Sequence, residues 1–78
     1  MATEVPIRGE SIRLGQLLKL AGVVDSGSDV KLLLAHETIL VNGAPETRRG
    51  RQLRPGDLVA VGAEELLVTA EPAGAQSR

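Results

Sequence analysis

The sequence predicts an α+β domain with two N-terminal helices packed on a small antiparallel sheet. Three observations predict it. Apolar residues recur at helical spacing over residues 12–36. The period then shortens to short β-type runs after Thr38. Asn42-Gly43 and Pro55-Gly56 supply turn chemistry between those runs. Helices followed by a run of strands define the class.

Residues 1–11 read as a flexible lead-in, because Pro6 and Gly9 interrupt them and no period is clear. From Ile12, Leu14, Leu17, Leu18 and Ala21 form one helical stripe. Ser11 is placed to cap its start and Gly22 to lie just past its end. Gly15 weakens that helix by roughly 1 kcal/mol relative to Ala. The second helix runs from about Ser28 to His36 with Val30, Leu33 and Leu34 on its stripe. Ser26 and Asp29 resemble a capping box with the shorter acid. Leu32 falls on its far side, an expectation of burial on two faces. Ile39-Leu40-Val41, Leu58 to Val61 and Leu66 to Thr69 read as strands, and Ala44 to Gln52 as a polar, Arg-rich connector. The domain is expected to span residues 12–70, with residues 71–78 as a flexible tail.

Composition excludes several classes. The chain has 78 residues, 42% hydrophobic and 24% charged, which suits one small soluble domain. Its core must be aliphatic, because Phe, Tyr and Trp are absent. Without cysteine there is no disulfide, thiolate metal site or Cys nucleophile. No apolar run has membrane-spanning length and residues 1–13 contain no signal-type apolar region, so the expected location is the cytoplasm. The sole histidine, His36, has only the adjacent Glu37 beside it, and neighbours on a helix do not face each other. It reads as a helix-end residue interacting with the last carbonyls. Gly9, Gly15, Gly22 and Gly27 match no nucleotide-binding spacing. No catalytic residue, metal ligand, cofactor or small-molecule substrate is expected.

Charge distribution carries the functional signal. Net charge is −1, yet Arg48, Arg49, Arg51 and Arg54 fall within seven residues that hold no acid. A basic patch on an otherwise acidic domain is a local electrostatic site. One reading is a solvated loop with salt bridges to Glu46 and Asp57. The other is a polyanion site, because clustered arginines repel one another and guanidinium forks onto phosphate. Single-strand binders stack bases on aromatic rings. With none present, the second reading points to phosphate and shape recognition of folded or double-stranded RNA. Lys19 and Lys31 widen the patch if the helices pack beside the loop, and the start of the second helix, at Ser28 and Asp29, offers backbone N–H groups to an anion.

Several stretches taken together resemble a known family: Leu17-Leu18-Lys19-Leu20-Ala21-Gly22, Val30-Lys31-Leu32-Leu33-Leu34, Ile39-Leu40-Val41-Asn42-Gly43 and Arg54-Pro55-Gly56-Asp57. They are similar to the RNA-binding domain named after small-subunit ribosomal protein S-four, over residues 12–68. Glu46 to Asp57 resembles its small stand-alone, YbcJ-like members. The resemblance implies the αL-type RNA-binding motif and a non-enzymatic protein that recognises structured ribosomal or transfer RNA, with the ribosome as a candidate partner. It implies contacts from Arg48, Arg49, Arg51 and Arg54, flanked by Lys19, Lys31 and Arg13, in a protein acting as a monomer. The chain departs from the pattern where Gly27 follows Ser26, a place where many members carry arginine, and where Glu37 replaces a common glycine. Lys31 is kept. The Arg48–Arg54 loop is then expected to carry part of the load of the missing helix contact. The alternative is a protein-interaction module that docks on ribosomal or RNA-modifying proteins through Leu32 or an exposed strand edge.

Overall fold

A computed structural model describes residues 2–71. It is α+β, but its first element is a strand. The order is β1 (Thr3–Ile7), β2 (Ile12–Arg13), α1 (Leu14–Leu20), α2 (Gly27–His36), β3 (Ile39–Val41), β4 (Ala44–Pro45), β5 (Gln52–Leu53), β6 (Leu58–Val61) and β7 (Glu64–Ala70). The helices are therefore not N-terminal, which corrects the expected order. The sheet is also not purely antiparallel. Its order is β1-β7-β6-β3-β4, and β1 runs parallel to β7.

The N-terminal segment pairs because Val5 and Ile7 alternate with outward residues, a two-residue period that Pro6 obscures. Both are buried. The Ile7 carbonyl accepts from the Glu71 N–H on the β7 side. In a parallel ladder alternate residues face the partner, so Pro6 turns its missing N–H to the open edge. The opposite edge, β4, is built alike. Glu46 N donates to Ile39 O at 2.8 Å, so the neighbouring Leu40–Pro45 pair is the non-hydrogen-bonded one and the Pro45 nitrogen faces outward.

The turns form as their residues dictate. Asn42 (φ 53°) and Gly43 (φ 85°) are both left-handed and join β3 to β4 in a two-residue type I′ turn. Gly56 (φ 101°) closes a type II turn in which Asp57 N donates to Arg54 O.

Helix α1 is shorter than its stripe suggests. Ser11 is not its cap: the Ser11 hydroxyl donates to Gln52 Oε1, and Ile12–Arg13 pairs with β5. At its other end, Gly22 N donates to Lys19 O and Val23 N to Leu18 O, with Val23 packed on the core. That is a Schellman stop, and it confirms the role read for Gly22. Ser26 caps α2 by accepting from Asp29 N, while the Asp29 carboxylate reaches back to Asp25 N.

Both helices cover one face of the sheet. Leu14, Leu17, Leu18 and Val30 meet Ile39, Val41, Leu53, Val59, Leu66 and Val68 in an aliphatic core. Leu33 and Leu34 pack at its margin. Leu32 is 57% exposed, so α2 is buried on one side only, against the expectation of two.

Candidate nucleic-acid interface

The polar connector between β4 and β5 folds around one carboxylate. Glu46 is 8% exposed. Its Oε2 accepts from Arg48 Nε (3.1 Å) and from the backbone N–H groups of Thr47 (3.2 Å) and Arg48 (3.0 Å). Its Oε1 accepts from Arg51 Nη1 (2.8 Å) and Arg48 Nη2 (3.5 Å). A turn from Arg48 O to Arg51 N closes the loop. The solvated-loop reading named Glu46 as a salt-bridge partner, and two of the four arginines do pair with it. The Asp57 contact is of another kind, since Arg54 meets Asp57 through its backbone N–H.

These bonds fix the charge state of Glu46. The Arg48 side chain, the Arg48 N–H and the Arg51 side chain together pull its pKa from 4.5 to about 2. The same pairing raises that of Arg48. Burial pushes the Asp57 carboxyl up, but the Arg54 N–H and the Asn42 amide outweigh it and lower the pKa. A depressed carboxyl contributes stability that is present above its unfolded pKa and lost as pH falls through the folded one. The Glu46 cluster should therefore hold unchanged from neutrality to about pH 4.5, then weaken toward pH 2. Thermal melts of wild type and Glu46→Gln across pH 7 to 2 check this: the two curves should converge only at the acid end.

With Glu46 holding the loop, the Arg51 and Arg49 carbonyls turn onto the start of α1. Leu14 N donates to Arg51 O and Gly15 N to Arg49 O, both at 2.9 Å. The helix lacks a side-chain cap because the loop backbone supplies its acceptors. Gly15 lies close against Val30 and Arg49, where a Cβ would sit in ordinary van der Waals contact at 3.4–3.5 Å.

Loop and helices enclose a cleft of about 210 Å³. Arg13, at the end of β2, and Gln16 and Lys19 on α1 line it at three-residue spacing. Arg49 and Gly50 line it from the loop, Gly27 from the first turn of α2, and Gly15 and Val30 form its floor. Among the described residues, three cations and no acid line it. A second groove of about 270 Å³, at the C-terminal end of α2, is lined by Glu37 and Glu46 with His36, and by no lysine or arginine. The first cleft is the one suited to an oxyanion.

Of the seven residues expected to form the basic site, Arg13, Lys19 and Arg49 converge on this cleft. Arg48 and Arg51 face Glu46. Arg54 stands on the β5–β6 turn, and Lys31 is exposed on α2 outside the lining. The Asp29 N–H, an expected anion donor, is taken by Ser26. Gln16 was missed, although it lies between Arg13 and Lys19 at helical spacing.

Two helices and an arginine loop thus frame a basic cleft beside a small sheet, an α+β domain with a cationic site. The chain belongs to the S4 domain family, whose sequence model matches residues 5–69. It is also similar to a protein of Bacillus subtilis (strain 168) described as probable ribosome maturation protein RlbA. The two are 48% identical over 61 residues, which make up 78% of this chain and 86% of that relative. The family resemblance read from the sequence is thus shown.

Proposed function

We propose that this protein binds structured RNA without catalysing a reaction, and that it grips phosphates in the cleft between α1, the start of α2 and the Arg49 loop. The observation that carries the reading is the convergence of Arg13, Lys19 and Arg49 on an acid-free cleft. Guanidinium and ammonium groups held by a helix and a pinned loop meet a phosphate array at fixed spacing, which favours a folded backbone over a flexible one. With no Phe, Tyr or Trp in the chain, base stacking on those rings contributes nothing. The similarity to a protein named for ribosome maturation supports ribosomal RNA as the target, with the ribosome as the setting.

The test is binding to a folded ribosomal RNA fragment and to a matched unstructured strand across a salt series. If three phosphates are neutralised, affinity for the folded RNA should fall roughly 40-fold between 50 and 200 mM salt. Equal affinity for both RNAs with a flat salt dependence would overturn the reading. Leu32, 57% exposed, favours a second reading, docking on a ribosomal or RNA-modifying protein. Under it, Leu32→Glu and not the cleft charges would abolish association.

A further inference from the structure

We propose that Glu46 divides the arginine cluster into two kinds: Arg48 and Arg51 shape the loop, and Arg49 is the one arginine of the loop that delivers its charge to bound phosphate. The inference rests on the cleft being the RNA site and assigns Glu46 as its positioning residue.

The geometry separates the arginines. Both oxygens of the buried Glu46 carboxylate are engaged by Arg48 and Arg51, with two backbone N–H groups completing its shell. Each spends part of its fork on Glu46, and drawing either fully away toward a phosphate would leave the buried carboxylate short of a charged partner, which is costly. Arg49 has no such tie among the described residues: its carbonyl is fixed on Gly15 and its guanidinium extends over the start of α2, Nη1 lying 4.0 Å from where a side chain at Gly27 would begin. The charge that stands free in the cleft is thus set by an acid outside it.

This reverses the ordinary electrostatic expectation. Removing a carboxylate beside a phosphate-binding site should tighten RNA binding, because the protein becomes more positive. If Glu46 positions Arg49, Glu46→Gln weakens binding despite the gain in charge. The salt slope gives a second readout, since each phosphate contact contributes about 0.9 to the slope of log affinity against log salt. Arg49→Gln should lower the slope by about 0.9 and cost about eightfold at 0.1 M salt. Arg48→Gln should leave the slope unchanged.

The experiment measures affinity for the folded ribosomal RNA fragment across salt for wild type, Glu46→Gln, Arg48→Gln and Arg49→Gln, with circular dichroism confirming each fold. Weaker binding by folded Glu46→Gln, with a slope loss in Arg49→Gln and none in Arg48→Gln, supports the division. Unchanged or tighter binding by folded Glu46→Gln overturns it, as does an equal slope loss in Arg48→Gln and Arg49→Gln. If Glu46→Gln fails to fold, the two exposed arginine variants decide alone. A wild-type slope near zero would instead sink the cleft reading itself.

Discussion

Reversing the cleft charges together, as Arg13→Glu, Lys19→Glu and Arg49→Glu, should cost roughly 500-fold or more in affinity for folded RNA at 0.1 M salt. Each neutralised phosphate contributes about 0.9 log unit per decade of salt below 1 M, so three contacts account for nearly three decades before any repulsion is added. All three residues are exposed and none belongs to the core, so the fold should survive. The measurement is a salt-series titration beside a far-ultraviolet circular dichroism spectrum. A folded triple variant that binds within a few-fold of wild type would move the RNA site away from α1.

The largest stability effect should come from Leu18→Ala. Leu18 is fully buried, and it is also the residue whose carbonyl takes the Val23 N–H in the helix stop. Emptying such a site typically costs 2–5 kcal/mol, because the surrounding core collapses only partly. A domain of this size holds a margin of roughly 3–5 kcal/mol, so the variant should be largely unfolded at 25 °C or close to it. Urea denaturation followed at 222 nm measures this, the chain having no Trp or Tyr to report by fluorescence. A loss below about 1 kcal/mol would mean that α1 is not seated on the sheet through this side chain.

Much of this architecture was legible in the sequence, where the governing contacts are local. The α1 stripe, the Gly22 stop, the Ser26 cap, the Asn42-Gly43 and Pro55-Gly56 turns and the three principal strands depend on residues within a few positions of one another. Strand β1 was not legible, because its partner lies about sixty residues away and Pro6 imitates a breaker. The start of α1 was misread for a related reason. Its first N–H groups find their acceptors on Arg49 and Arg51, and no periodicity within the helix carries that information. The site divides in the same way. Gln16 and Lys19 are one turn apart on α1 and Arg13 directly precedes that helix, but nothing local brings Arg49 to them. Composition marks the four arginines as alike. It is the burial of Glu46, a tertiary fact, that makes them different.

Pro6 and Pro45 leave the five-stranded sheet bounded on both flanks by a residue that cannot extend it. A foreign extended segment laid along β1 would find a carbonyl at Pro6 with no amide beside it, and one laid along β4 would meet the same gap within two residues. Templated growth needs an unbroken row of donors, and neither flank supplies one. The two prolines therefore interrupt, at each flank, the row of hydrogen bonds by which like chains would lengthen the sheet.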